Sequence, residues 1–402
     1  MTKTQIKLNG AEEQLKALLA SAGQDDAAAK FAEIGLPTRR IEAYHYTDLK
    51  TLVREVPAGI ASDNDGPKAN RSAFEGAARV EIVNGKLAGS FDVDGVEVAV
   101  SGNTGSGDDS VVLLSEALVG DVVEIKISGE VEQVLHIDRI IDGDAAINAD
   151  KVTVTLDDGA KATLIETYNG SEAAHLRLAT TEVVLGEGVE FAHLQLDGNS
   201  SETRHFASNR YELNADAQLQ TFVQQSESQV ARTTVSARFI GGGAHADFAG
   251  LNMLTGSQHG DITVHLSHLV ANTTSTEVFK NVVNGRGKAV FQGKIDVAQP
   301  AQKTDAQMMC QGLILSERGE VLVKPELEIF ADDVLCAHGA TCGELDEDSM
   351  FYLMSRGIPR AEAKAMLIRA FLAEAFEPIE VYAVIETLEA RVDSWLQEQE
   401  EA

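Results

Sequence analysis

The feature that most restricts what this chain can fold into is a gap in its proline distribution. Pro37, Pro57 and Pro67 lie early, Pro300, Pro325, Pro359 and Pro378 lie late, and residues 68–299 contain none. Proline removes a donor from a sheet ladder, so a long proline-free stretch rich in Val, Thr, Ile and Leu suits a continuous sheet. Helices tolerate such a stretch equally well, so periodicity has to decide. From about residue 130 apolar residues alternate, as in Val152-Thr-Val-Thr-Leu156, with the two-residue period of a strand. Turn signals then recur about 28 residues apart, at Asp158-Gly159, Glu187-Gly188, Ala215-Asp216, Gly242-Gly243 and Ala271-Asn272.

Four of these turns join strand-like runs: Val152–Leu156 to Ala162–Thr167, Glu182–Leu185 to Val189–Leu196, Tyr211–Leu213 to Gln218–Val223, and Val235–Ile240 to Ala246–Leu251. Stacking one strand-turn-strand unit per period buries a continuous interior although no unit has a core of its own, which predicts a parallel β-helix. An antiparallel sandwich shares these signals and stays open on periodicity alone. The repeat is expected to lose regularity after Glu277, with strand-like runs continuing through Lys288–Val297 and Gly319–Phe330.

Both flanks read as helical. Residues 11–34 predict two helices: Leu15, Leu18 and Leu19 form a stripe, Gly23 breaks it, and Asp25 or Asp26 caps the second, which ends at Gly35. Loose stretches follow at Pro57–Pro67 and Ser101–Asp109, and residues 110–130 favour no single element. After Asp346 the helical period returns, with one stripe of Ala363, Met366, Leu367, Ala370 and Phe371 and another of Tyr382, Ile385, Leu388, Val392, Trp395 and Leu396.

Composition excludes several function classes. Thirty-three Lys plus Arg against 63 Asp plus Glu give a net charge of −30 over 402 residues, which repels phosphate backbones and anionic membranes. Cys310, Cys336 and Cys342 are too few for a disulfide framework, so a reducing, cytoplasmic setting is expected for a soluble chain whose first residues lack a signal peptide's apolar core. Three thiols also cannot complete a Cys₄ zinc site or a cluster within one chain. Any metal here needs histidine, carboxylate or a second subunit.

The nearest run to a phosphate-binding loop, Asn284-Gly-Arg-Gly-Lys-Ala-Val290, lacks the spacing and the hydroxyl, and no nucleophile elbow or His-Glu-x-x-His helix occurs. No nucleotide-binding or catalytic motif of its own is therefore found, and Gly241-Gly-Gly243 reads as turn chemistry. The densest chemical cluster is Ala331-Asp-Asp-Val-Leu-Cys-Ala-His-Gly-Ala-Thr-Cys-Gly343. In extended chain Cys336 and His338 point the same way and offer a thiol and an imidazole to one iron or zinc ion, with Cys342 as a third candidate. The plainer alternative makes Cys336 a small buried hydrophobe and His338 a boundary residue. His259, His265 and His268 are a second candidate group, but spacings of six and three match no single strand face.

Lys324-Pro-Glu-Leu-Glu-Ile-Phe-Ala-Asp-Asp-Val-Leu-Cys-Ala-His-Gly-Ala-Thr341, with Leu345-Asp-Glu347 and Phe351-Tyr-Leu-Met-Ser-Arg-Gly-Ile-Pro359, closely resembles the C-terminal signature of the SufB/SufD family of iron–sulfur cluster assembly proteins. Pro37-Thr-Arg-Arg-Ile-Glu-Ala-Tyr-His-Tyr-Thr-Asp-Leu49 resembles the N-terminal signature of its SufD-like branch, with Tyr44 where tryptophan is expected and His45 where a basic residue is expected. The resemblance implies a mainly β fold with helical ends: a right-handed parallel β-helix (solenoid) core over 131–335, an N-terminal helical region over 1–75, a mixed connecting region over 76–130 and a C-terminal helical domain over 336–402.

It further implies a non-catalytic scaffold that pairs with a SufB-like homologue through the β-helix core and docks a SufC-like ATPase on the C-terminal helical domain, with a homodimer possible when partners are absent. No cofactor is then expected to bind tightly to the chain alone. A transient iron–sulfur cluster or iron would be shared with the SufB-like partner, with His338 as the shared ligand, Cys336 beside it and Cys342 outside the family pattern. The readings set against this are a stand-alone metal-binding protein using Cys336, His338 and Cys342, and a β-solenoid enzyme acting on polysaccharide.

Overall fold

A computed structural model describes residues 7–62, 66–103, 105, 107 and 109–401. Residues 1–6 and 402, and parts of the two loose stretches at 63–65, 104, 106 and 108, lie outside the described residues. The alternating runs stack into a parallel solenoid with two walls, a nine-stranded and a ten-stranded sheet, in which sequence-consecutive strands alternate between walls from Asp121–Ile127 onward. The sandwich alternative is thereby excluded, since strands along each wall pair in parallel from Asp121–Ile127 to Glu320–Ile329 and from Leu135–Ile141 to Leu335–Gly343.

The recurring turns have one cause. Gly129, Gly159, Gly188, Asp216, Gly243, Asn272 and Lys303 all adopt positive φ, between 57° and 77°, at the same corner of successive coils. Left-handed backbone favours Gly, Asn and Asp, which is why this corner is legible in sequence. Regularity does not fail after Glu277: Thr274–Val283, Lys288–Val297, Asp305–Ile314, Glu320–Ile329 and Leu335–Gly343 continue the coils. At this corner Lys303 replaces the usual turn residue, so the sequence signal fades while the conformation persists.

The two ends of the solenoid differ. At the N-terminal end, Ala78–Val83 pairs antiparallel with Lys86–Ala88, and Val96–Gly102 pairs antiparallel with Asp121–Ile127, so the edge strands at this end run against the coil direction. At the C-terminal end the edge strands among the described residues, Glu320–Ile329 and Leu335–Gly343, run parallel to their neighbours and keep the coil register.

Helices cover the outer walls. α1 (Gly10–Ser21) carries a capping box from Asn9 to Glu12, and α2 (Asp25–Ile34) places Asp25 and Asp26 in its first turn, with Gln24 rather than an Asp at its cap. A single turn, α3 (Leu49–Leu52), and α4 (Ser110–Leu118), capped by Asp109, complete the N-terminal set. Leu15, Phe31, Leu113 and Leu114 pack with Ile147, Leu176, Leu178 and Phe206 on the outside of the nine-stranded wall. α5 (Glu347–Ser355), α6 (Arg360–Phe376) and α7 (Tyr382–Glu401) follow the last strand. On α6 the buried stripe runs through Ala363, Ile368, Leu372, Ala375 and Phe376, leaving the expected Met366 and Ala370 exposed. With Val384, Leu388, Val392 and Trp395 of α7 it seals Ile165, Leu194, Phe222, Leu251 and Met253 of the ten-stranded wall. Among the described residues no helix is long and apolar enough to cross a membrane.

Candidate functional site

Cys336 and His338 lie in the last strand, Leu335–Gly343, rather than at the start of the helices. This strand pairs in parallel with Asp305–Ile314 in the register Ala306 to Cys336, Met308 to His338, Cys310 to Ala340 and Gly312 to Cys342. Ala306, Met308 and Cys310 are buried and face the solenoid interior. Because in-register residues share a face, Cys336, His338, Ala340 and Cys342 carry the interior face onto the uncovered end. On the opposite wall Val321, Val323, Leu327 and Ile329 pair with the interior positions Ala289, Phe291, Ile295 and Val297, and are only partly covered. The end of the solenoid is therefore an exposed cross-section of core, apolar on one wall and bearing thiols and an imidazole on the other. Ile329, Phe330 and Leu335 rim it at 39%, 67% and 69% exposure, far above the rest of the core.

The geometry joins some predicted ligands and separates others. Cys336 and His338 share a face two residues apart, about 6.6 Å along the strand. Cys342 is six residues from Cys336, about 20 Å along the strand, so one ion cannot hold all three. Among the described residues no group of three or more His, Cys, Asp or Glu side chains converges to hold a metal. Partial burial raises the Cys336 and Cys342 thiols, and full burial with Cys342 nearby raises Cys310 further. All three thiols are thus protonated near neutral pH and poor nucleophiles before a metal or partner arrives.

The second histidine group disperses. His259 lies on the outer face under the N-terminal segment, 2.9 Å from Thr47 Oγ1. His265 faces outward with Nε2 2.5 Å from Asp296 Oδ2. His268 points inward, stacked on Phe239 at 4.2 Å and hydrogen-bonded to Thr273 and Ser275.

The N-terminal signature is fastened to the nine-stranded wall beside this end. Tyr44 is buried with the Arg232 guanidinium 4.2 Å above its ring, and Arg232 pairs with buried Asp261 while donating to the Ala43 carbonyl at 2.8 Å. Gln292 Nε2 donates to the same carbonyl at 3.0 Å, and Lys324 of the penultimate strand pairs with Glu42. Sequence reading missed Arg232 and Asp261, which sit at outward positions of interior strands where charge normally means solvent. It also missed Glu277, which is fully buried because alternation with Phe279 and Val283 places it inward despite its charge.

On α5, Met350 is buried while Phe351, Tyr352 and Met354 are exposed at 74%, 56% and 41%. They form an apolar helix face that the solenoid leaves uncovered.

Comparison with known proteins places these features in a family. Residues 139–371 match the family model described as SUF system FeS cluster assembly, SufBD core domain. The chain is 30% identical over 375 residues to the iron–sulfur cluster assembly protein SufD of Escherichia coli K12, covering 89% of each chain. It is 26% identical over 415 residues to an iron–sulfur cluster assembly SufBD family protein of Synechocystis, covering 94% of this chain and 90% of the relative.

Proposed function

Because this chain belongs to the SufB/SufD family of iron–sulfur cluster assembly proteins, we propose that it is a non-catalytic scaffold subunit whose solenoid pairs through its open end with a SufB-like homologue and whose C-terminal helices dock a SufC-like ATPase. The observation that carries this reading is the inequality of the two ends. At one end both sheets finish in antiparallel strands and the interior positions Val80, Ile82, Val123 and Ile125 stay buried, while at the other both finish in parallel strands in coil register whose interior positions are themselves partly exposed. Unpaired edges are templates for another chain, and a homologous solenoid presents a matching cross-section. In the absence of that partner, a second copy of this chain has the same complementarity.

His338 and Cys336 then stand at the junction. Two donors on one face are a half-site, which ligands from the partner complete around iron or a nascent cluster carried as cargo. Protonated thiols agree with a chain that holds no cluster tightly by itself. The exposed Phe351, Tyr352 and Met354 suit an apolar contact with the ATPase. ATP-driven dimerisation of two such ATPases would strain the solenoid pair and expose the junction, a two-state element biased by nucleotide. The setting is the cytoplasm, in keeping with unlinked cysteines.

Co-expression with a SufB-like homologue and a P-loop ATPase tests the reading. A stable three-component complex is expected. His338→Ala should leave the complex assembled but slow cluster formation. Failure of the chain to enter any complex contradicts the scaffold role, and a wild-type rate with His338→Ala contradicts the shared site.

A further inference from the structure

The solenoid interior holds an acid that no contact explains. Glu277 is fully buried, and neither carboxyl oxygen has a hydrogen-bond partner. A buried carboxyl left unsatisfied destabilises the fold, so its retention calls for a ligand or a role. Its place along the ten-stranded wall is fixed by register: Phe248, Glu277, Met308 and His338 pair in succession, which puts all four on the inner face. Strands lie about 4.8 Å apart, so Glu277 and His338 are separated by two spacings, roughly 9.6 Å. A carboxylate and an imidazole that project the same way across that gap can both reach one ion between them.

Met308 occupies the intervening position and spans the interior. Its Sδ and Cε lie 2.6 Å from where a Cβ on Gly293 of the opposite wall would stand. Glycine at 293 is therefore what makes room for the thioether. Methionine is unbranched and repacks easily, so this is a movable obstruction rather than a fixed one.

We propose that Glu277 is an inner ligand for a divalent metal ion received by His338 at the open end, with Met308 as the movable plug and thioether donor between them. This rests on the cluster-assembly reading above. Oxygen, sulfur and nitrogen donors together select a borderline transition ion of the Fe²⁺ class over Ca²⁺ or Mg²⁺, which prefer all-oxygen sites. On binding, the Glu277 proton leaves to solvent, the carboxylate bonds the ion, and no oxidation state changes. The ion supplies the counter-charge that the buried acid lacks.

The test is a Co²⁺ titration of the full chain under reducing conditions, followed by visible absorption. About one Co²⁺ is expected to bind, with Glu277→Gln and His338→Ala each weakening binding by about tenfold or more. Met308→Leu should shift the absorption band by removing the sulfur; an unchanged band overturns the part given to Met308. Glu277→Gln is isosteric and uncharged, and far-ultraviolet circular dichroism confirms its fold. Saturable binding unchanged by Glu277→Gln, or none by the wild type, overturns the inner site. Loss with His338→Ala alone confines the ion to the surface and leaves the assembly role standing. That role fails separately, if the chain enters no complex with a SufB-like homologue and a P-loop ATPase.

Discussion

Glu42 and Lys324, 282 residues apart in sequence, form an ion pair across the nine-stranded wall. One belongs to the N-terminal signature and the other opens the C-terminal signature, so the two runs that identify the family meet beside the open end. The pair is exposed on the Glu42 side, and its own contribution is small. The tie that matters is the buried Arg232–Asp261 pair beneath Tyr44.

Removing one member of that buried pair should free the N-terminal segment. Asp261→Asn or Arg232→Met is expected to cost about 3–5 kcal/mol, because the remaining partner is left buried and uncompensated. Lys324→Met should cost less than about 1 kcal/mol. Denaturant unfolding gives the magnitudes, and faster proteolytic cleavage within residues 37–47 in the first two variants, but not the third, locates the effect.

Glu277 should make the protein less stable as pH rises. Burial raises its carboxyl well above 4.5 in the folded chain, whereas the unfolded chain ionises near that value. Its contribution is full below about pH 4.5 and is lost as pH rises toward the folded value, at up to about 1.4 kcal/mol per pH unit. Glu277→Gln removes this loss. Urea midpoints of variant and wild type should diverge between pH 5 and pH 7, with the variant the more stable at pH 7; parallel curves contradict the raised carboxyl.

Acid should unfold the protein through buried histidines. Burial lowers His136, His259 and His268 to about 4 from 6.5, so the folded chain keeps them neutral while the unfolded chain protonates first. Stability is full above about pH 6.5 and is lost as pH falls through about 4, each histidine adding up to about 1.4 kcal/mol per pH unit. His268→Gln should lower the steepness of the acid transition by one such increment, read from unfolding free energies between pH 7 and pH 5.

The two proposed partner surfaces should be separable. Leu335→Asp at the rim is expected to abolish pairing with the homologue and leave the ATPase bound. Phe351→Asp on α5 should do the reverse. Both residues are more than two-thirds exposed, so thermal midpoints should stay close to wild type. Size-exclusion chromatography of co-expressed components separates the outcomes, and loss of both partners in either variant contradicts the assignment.

How far the fold was legible follows from where polar groups lie in each coil. Near the left-handed corner, strands alternate cleanly, as in Val152, Val154 and Leu156, and their turns carry Gly or Asp, so periodicity found them. Toward the opposite corner, Ile147–Leu156 and Lys161–Gly170 extend beyond the runs Val152–Leu156 and Ala162–Thr167 that alternation marks. There Arg139, buried between the walls, pairs with Asp150 and Glu166, while Tyr168 and Gln195 donate to Glu166 at 2.9 and 2.8 Å. A hydrogen-bonded interior of this kind replaces apolar residues with charged ones, and alternation disappears although the strand does not. α4 was missed because its sequence, Ser-Val-Val-Leu-Leu-Ser-Glu-Ala-Leu, is buried on most sides and carries neither period. In the site, the two-residue spacing of Cys336 and His338 was readable. Their position on an uncapped end was not, since nothing in the local sequence records that no further coil follows.

The central claim is that the last coil is the surface on which the homologous subunit docks. Hydrogen exchange of backbone amides in Glu320–Ile329 and Leu335–Gly343, compared between the free chain and its complex with a SufB-like homologue, tests it most directly. Strong new protection of these two edge strands, with little change in the reversed strands Lys86–Ala88 and Val96–Gly102, is the predicted result. Protection confined to the N-terminal end, with the two edge strands exchanging as in the free chain, would contradict it.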